Sequence, residues 1–339
     1  MARISLTQEE IAAIGQIVGE LAAAYDSAED PSFLMTAALT GHELPRRLRG
    51  ELYDFKLTEP SSSLLVVSGL PIDDAKIGPT PEHWREPARG RVLEEEIFLV
   101  LLTSLLGECF GWSTQQGGRI IHDIIPIKGH EGEQISSGSE QPIWWHTEDA
   151  FHPLRGDYVG MLCLRNSDRV PTTFASLERL GLDAEDLRLL FEPNYVIQPD
   201  ESHRQKNAAA PSPQNGGDAP AYQRIEEMMA APPKIAVLHG DPRSPYIRID
   251  PYFMSPVTDN PRAQRALEAL IEAIDQRLQE VVLEPGDVYL IDNFKAVHGR
   301  RPFKARYDGT DRWLKRINVT RDMRKSRAER PGAADRVIL

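Results

Sequence analysis

Two histidines and a glutamate set the terms of this sequence. His146 and Glu148 stand one residue apart in IWWHTEDAF, and His298 lies far downstream in IDNFKAVHGRR. Along an extended segment, side chains at i and i+2 point to the same face, so an imidazole and a carboxylate at this spacing can share one metal ion. The adjacent Trp144 and Trp145 would dry and stiffen that setting. With His298 as third ligand, the set is two histidines and one carboxylate with the remaining positions open, the geometry of non-haem iron(II) oxygenases. A competing pair, His239-Gly240-Asp241, also precedes His298. Its surroundings, HGDPRSP, are turn-formers, which places it at a hairpin between IAVL and YIRID.

Arg312 and Arg316 follow His298 by 14 and 18 residues. Four apart along a strand, both project to one face. An oxygenase of this kind needs a cosubstrate whose carboxylates are held, and arginine grips a carboxylate bidentately where lysine cannot. Two inward arginines could hold one carboxylate of a 2-oxo acid and one of an amino-acid substrate. The alternative is that both belong to a solvated basic stretch with Arg324, Lys325, Arg327 and Arg330, and spacing alone does not choose. His42, His83, His122, His130 and His203 have no paired ligand at a useful spacing, and His152 reads as structural. Gln116-Gly117-Gly118 lacks the lysine-serine/threonine pair of a phosphate loop.

The elements that must position these residues change in texture along the chain. Thr7 precedes QEE and apolar residues at Ile11, Ile14, Ile17, Val18 and Leu21, which predicts a capped helix. Residues 33–56 have helix-forming composition, 63–70 read as a buried strand, and 92–106 as a strongly apolar helix. From residue 119 onward, RIIHDIIPI, YVGMLCLRN, PYIRID, VYLIDN and RWLKRINVT are strand-like runs separated by turns. Asn260-Pro261 caps one late helix carrying Leu267, Leu270, Ile271, Ile274 and Leu278. The pattern predicts a mainly β sandwich or barrel braced by helices at the N-terminus and late in the chain. Residues 200–220 lack any apolar period, which fits either an active-site lid loop, which would span 200–225, or a disordered insertion. No break forces two units, so a single domain is expected over residues 1–339.

With 339 residues the chain can bury a large core without disulfides. Its net charge of −12 excludes a generally basic nucleic-acid binder. That charge is uneven: residues 300–339 hold 13 Lys/Arg against 5 Asp/Glu, a net +8, which leaves −20 on the rest. Cys109 and Cys163 sit in apolar surroundings and read as buried free thiols of a reducing compartment. No apolar run is long enough to span a bilayer, and the N-terminus lacks a signal peptide's apolar core, so a cytoplasmic location is expected.

The segments HELPRRLR, WHTEDAFHPLRGDYVGMLCLRN and IDNFKAVHGRRPFKARYDGTDRWLKRINVTRD together resemble the clavaminate-synthase-like, TauD-related group of iron(II)/2-oxoglutarate oxygenases. Within it they are most similar to the arginine and enduracididine β-hydroxylases of antibiotic biosynthesis. The likeness runs from about residue 25 to residue 330. It implies a double-stranded β-helix, that is, a jelly-roll or cupin-like core. It implies iron on His146, Glu148 and His298, and the distal carboxylate of 2-oxoglutarate on Arg312 with Thr172 or Thr173. The substrate α-carboxylate would lie on Arg316 and its amine near Glu148, with Gln115, Ser136 and Asp200 lining the amino-acid site. Where the arginine hydroxylases place two aspartates on the guanidinium, this chain has Asp250 and Tyr252. One buried carboxylate still pairs with a cation, and a tyrosine can stack on it, so a cyclic guanidine or a lysine ammonium becomes as plausible as arginine.

The chemistry expected is hydroxylation of a free basic L-amino acid with iron(II), 2-oxoglutarate and dioxygen. Clamping the α-carboxylate and amine places Cβ nearest the metal, with Cγ the alternative. An intact Glu148 argues against halogenation. Two readings of other classes compete. A zinc-dependent cupin-like hydrolase or isomerase would have no use for Arg312, and a non-catalytic amino-acid sensor would not need the whole ligand set.

Overall fold

Thr7 caps the first helix as its sequence demands. Its hydroxyl accepts the Glu10 N–H at 3.2 Å while the Glu10 carboxylate accepts the Thr7 N–H at 2.9 Å, a capping box that opens helix Gln8–Ala24. The computed structural model describes residues 2–86, 90–177, 181–204, 219–257 and 260–339. Helices Pro31–Gly41, Arg46–Thr58 and Leu93–Ser104 complete the N-terminal part, and Leu93–Ser104 is buried along most of its length.

These helices cover one face of a mixed sheet of eight strands among the described residues. Its order is Ala2–Ser5, Leu64–Ser68, Val288–Asp292, Tyr158–Arg165, Trp313–Thr320, Glu108–Trp112, Val337–Ile338, with Ile121–Ile124 also paired to Trp313–Thr320. Most pairings are antiparallel; Ala2–Ser5 with Leu64–Ser68 and Val337–Ile338 with Glu108–Trp112 are parallel. Side chains alternate between two cores, as a period of two requires. Leu65, Val67, Leu162, Val288, Leu290, Trp313 and Ile317 join the helices. Leu64, Val66, Val159, Met161, Cys163, Tyr289, Ile291 and Leu314 point the other way.

That second face meets a smaller sheet, in the order Gln279–Val281, Thr172–Ser176, Ala296–Arg300, Ile143–His146. Phe174, Val281 and Ala296 of the smaller sheet share a core cluster with the larger one, so the two sheets pack face to face. The smaller sheet's outer face, through Trp145, Ala175 and Val297, packs with helices Ala184–Leu190 and Pro261–Asp275. Four layers result: helices, sheet, sheet, helices. The helical share is larger than a mainly β reading anticipates, since the N-terminal helices form a full layer and not a brace.

Three details depart from expectation. The late helix ends at Asp275, so Leu278 lies beyond it. Residues 205–218 of the expected lid loop lie outside the described residues, and its far end is helical, Ala219–Ala230, because Ala221, Ile225 and Met228 recur at helical spacing. Arg330 is buried and donates to the carbonyls of Met323, Ala333 and Asp335, so it is not part of a solvated stretch. Both cysteines are free and buried. Among the described residues no helix is long and apolar enough to cross a membrane.

Leu270 is fully buried where helix Pro261–Asp275 covers the smaller sheet. Leu270→Ala is expected to lower stability by about 2–5 kcal/mol, read as a reduced urea midpoint with an unchanged m-value.

Candidate active site

The two histidines are brought together by strand register. His146 ends strand Ile143–His146, His298 lies in Ala296–Arg300, and the two are directly opposite partners of an antiparallel pair. Their rings are 4.9 Å apart. Glu148 completes the set: its Oε2 is 3.2 Å from His298 Nε2 and 3.7 Å from His146 Nε2. Alternation along a strand is not what puts it there. The strand stops at His146, and the chain turns, with Asp149 in a left-handed conformation at φ 51. Asn293, fully buried, holds the turn: its Oδ1 accepts the Glu148 N–H at 2.7 Å and its amide donates to the Glu148 carbonyl at 3.1 Å.

The arrangement suits a metal ion. His146 Nδ1–H donates to the Trp144 carbonyl at 2.7 Å, which leaves Nε2 as the ligand atom. The two histidines and Glu148 offer ligand atoms all within 4.8 Å of one another. Burial works to raise the Glu148 carboxyl, but Arg316 and the two histidines outweigh it and hold it well below the usual range. Burial opposes protonation of His146, yet Glu148 and Asp250 together pull its imidazole up to about 9, which marks a pocket that favours a positive charge.

Arg316 reaches the same carboxylate from the opposite sheet. It lies in Trp313–Thr320 and is ion-paired with Glu148 Oε1. Its Nη2 donates to Gln115 Oε1 at 3.2 Å and to His122 Nδ1 at 2.8 Å. His122 stands opposite Arg316 in the ladder and donates its own Nε2–H to the Arg119 carbonyl at 2.9 Å, which fixes Nδ1 as the acceptor. Burial and the neighbouring Arg316 and Arg119 keep His122 well below its ordinary value, hence neutral. Sequence spacing gave His122 no role, because its partner is 194 residues away and only the register pairs them.

A cavity of about 250 Å³ opens over these groups, sized for small molecules and not for a polymer. At one end Arg312 is buried, hydrogen-bonded by Nη2 to Thr172 Oγ1 at 3.2 Å, with no carboxylate partner among the described residues. Burial lowers its guanidinium to about 10. Thr172 lines this end; Thr173, next along the strand, faces the outer side with Ala175. Arg300, unremarked in the sequence, is a second buried cation there. It donates to the carbonyls of Gly138 and Gln141 and lies 4.9 Å from the Phe303 ring. It thus straps down the loop that carries Ser136, which lines the cavity.

The remaining residues meet at the other wall. Gln115, Asp200, Asp250 and Tyr252 all line the cavity. Asp250 is buried; its Oδ1 accepts the N–H groups of Tyr252 and Phe253 at 3.1 and 3.2 Å. Burial pushes its carboxyl up to about 6, with His146 opposing and Asp200 adding to the rise. Tyr252 is 54% exposed and Trp144 46%, so the mouth is an aromatic rim. His239 and Asp241 sit in the hairpin Leu238–Asp241 with Ser244–Ile247, where His239 packs 5.7 Å from Tyr246 and takes no part.

Comparison with known proteins agrees with this geometry. The family model for taurine catabolism dioxygenase TauD, TfdA family, matches residues 100–318. The chain is 46% identical to an L-ornithine/L-arginine 3-hydroxylase of Catenulispora acidiphila, over 100% of both chains. It is 45% identical to an enduracididine beta-hydroxylase of Streptomyces hygroscopicus, again over 100% of both. A crystal structure of the non-heme iron oxygenase OrfP in complex with iron, succinate and (3S)-hydroxy-L-Arg superposes with a TM-score of 0.95 at 46% identity, covering 100% of each chain. Another, of OrfP with iron and alpha-ketoglutaric acid, gives a TM-score of 0.89 at 45% identity over 99% of this chain and 100% of that one. A histidine-glutamate-histidine set between two facing sheets, matched over nearly two thirds of the sequence, means that the chain belongs to the TauD/TfdA dioxygenase family.

Proposed function

We propose that this protein is an iron(II)- and 2-oxoglutarate-dependent hydroxylase of a free basic L-amino acid, either arginine or an arginine-derived guanidino amino acid such as enduracididine, acting at Cβ. One observation carries the reading. A single cavity holds the His146, Glu148 and His298 set together with a buried guanidinium, Arg312, that has no carboxylate partner among the described residues. A buried, unneutralised cation asks for an anion, and the distal carboxylate of 2-oxoglutarate meets it there with Thr172. The activities of the hydroxylases and the ligands of OrfP support the same reading.

His146, Glu148 and His298 would hold the iron. With 2-oxoglutarate and dioxygen, the metal supplies the oxidising power for hydroxylating a C–H bond, and succinate and carbon dioxide are the coproducts. The chain's own part is placement and exclusion of water. Arg316 takes the substrate α-carboxylate, and Glu148 Oε1 lies beside it to meet the α-amine. Gln115 and Ser136 border this end. Clamped so, the amino acid presents Cβ to the metal and extends its side chain toward Asp250, Asp200 and the Tyr252 rim. Asp250 pairs with the distal cation, and Tyr252 covers its face.

The facing sheets support a double-stranded β-helix of the jelly-roll kind, within one domain spanning residues 1–339. The stretch 200–225, whose Asp200 and Ser202 border the cavity, would serve as its lid. A small basic amino acid, and no nucleic acid or membrane, is the partner this interior fits.

Succinate release from 2-oxoglutarate should be stimulated by arginine, ornithine or enduracididine, with an added oxygen in the product by mass spectrometry. Activity that persists without oxygen, or no stimulation by any basic amino acid including lysine, would exclude the reading. His298→Ala and Glu148→Ala should cost more than the roughly 10–100-fold typical of residues that only orient a ligand. Arg312→Lys keeps the charge but loses the fork, and should raise the KM for 2-oxoglutarate about 10–100-fold with the amino-acid KM nearly unchanged.

Asp250 yields a pH dependence. Its raised carboxyl is ionised only above about 6, so kcat/KM for arginine should fall as the pH drops through that value. Asp250→Asn should flatten this limb, lowering kcat/KM above about pH 6 and changing it little well below, while uncoupled 2-oxoglutarate decay survives.

A further inference from the structure

A second cluster of ligand-type side chains lies beside the first: Asp149, Asp200 and His203. Its polar atoms are already engaged with one another and with their neighbours, which makes it a clamp and not an ion site. His203 is fully buried; its Nε2–H donates to Asp149 Oδ1 at 3.0 Å, and its Nδ1 shares a hydrogen bond with the Thr114 hydroxyl at 2.7 Å. The ring is held edge-on to Trp112 and Phe151, at 5.7 and 4.8 Å. Asp149 is fixed in turn by Trp112 Nε1–H at 2.7 Å and the Asn318 amide at 3.1 Å.

The clamp secures a piece of the cavity wall. His203 closes the short 3₁₀ turn Glu201–His203, whose N-cap is Asp200. The Ser202 N–H and hydroxyl both donate to Asp200 Oδ1, at 2.8 and 2.5 Å. The Ser202 oxygen accepts from Gln115 Nε2 at 2.6 Å, and Gln115 Oε1 accepts from Arg316. A continuous hydrogen-bonded line therefore runs from Arg316 through Gln115 and Ser202 to Asp200. All four border the cavity, while His203 lies behind them and outside it. A three-residue turn has little packing of its own, so its position depends on its anchors, of which His203 is the residue of the turn that is fully buried.

We propose that His203 is a positioning residue for substrate recognition: seated on Asp149 and Thr114, it pins the Asp200–Ser202 turn at a fixed distance from Arg316. The inference rests on the reading that the cavity binds a free basic amino acid. Its consequence is selective. The amino-acid end of the cavity depends on His203; the Arg312 and Thr172 end, across the metal site, does not.

Calorimetric binding of L-arginine to the iron(II)- and 2-oxoglutarate-loaded protein, without oxygen, tests this beside the KM values of both cosubstrates. His203→Leu fills the space between the aromatic rings but loses both hydrogen bonds. It should weaken L-arginine about tenfold or more and leave the KM for 2-oxoglutarate unchanged. His203→Gln, whose amide can still reach Asp149, should regain most of the loss. Wild-type arginine affinity in His203→Leu, a parallel loss of 2-oxoglutarate affinity, or no rescue by glutamine would each overturn the proposal. If His203→Leu does not fold, Thr114→Val carries the test: a smaller weakening of L-arginine alone supports the clamp, and no change refutes it. If the wild-type protein binds no basic amino acid, the reading of the cavity falls, and hydrogen exchange of residues 201–204 then decides on the clamp. Faster exchange in His203→Leu, or in Thr114→Val where the leucine variant does not fold, supports the clamp, and an unchanged rate overturns it.

Discussion

Glu148, in the turn that follows a strand of the smaller sheet, and Arg316, on the larger sheet, meet as a buried ion pair, and much of the site is built around the cost of that burial. Two charges removed from water are best tolerated when their remaining hydrogen-bonding atoms are also met. On the arginine side His122 and Gln115 take Nη2, with His122 held neutral and in one tautomer by the Arg119 carbonyl, while Nε stays buried without a hydrogen-bond partner among the described residues. On the glutamate side the two histidines take the other oxygen and Asn293 fixes the backbone. The pair also serves the proposed chemistry. With Oε1 engaged by Arg316, only Oε2 faces the histidines, so the carboxylate offers one oxygen and leaves neighbouring space for other ligands.

From this pair the cavity is polarised lengthwise. Arg312 and Arg300 make one end cationic, and Asp200 and Asp250 make the other anionic. A keto diacid and a zwitterion with a cationic tail, laid end to end, match that order of charges. The overall −12 carries no trace of it, because a few placed charges govern recognition and the many solvated ones govern solubility. The basic C-terminal region divides on the same principle. Arg312 and Arg316 face the cavity, while Lys315, one residue from Arg316 on the same strand, points to the helical layer and pairs with Asp123 and Glu96.

Much of this was legible in the sequence. The short runs RWLKRINVT and VYLIDN, set off by turn residues, located strands, and the i+2 spacing singled out His146 and Glu148. The reason for that spacing differed from the expected one, since Glu148 reaches its place from a turn that depends on Asn293 and on the left-handed Asp149. His122 and His203 looked solitary because their partners are distant in sequence: Arg316 for one, Asp149 and Thr114 for the other. Choosing Thr172 over Thr173 needed the phase of a strand between two apolar faces, both of which accept threonine. The buried Arg330 was misread because its partners are carbonyls and the Ser326 hydroxyl, with no carboxylate in the pattern to announce them.

The same geometry explains why reaction and substrate differ in how firmly the chain constrains them. The metal set, Arg316 and Gln115 are enclosed and tied by contacts that run through both sheets, so a change at any of them propagates into a buried network. The distal wall is held differently. Among the described residues the hydrogen bonds to Asp250 come from backbone N–H groups, and beyond it Tyr252 and Trp144 stand half in solvent. A side chain at that rim can be exchanged without leaving a buried charge unpaired. On the proposed reading, Tyr252 in place of a second carboxylate would shorten or reshape the cation that fits best and would leave the clamp on the α-carboxylate and amine, and with it the carbon presented to the metal, as it was.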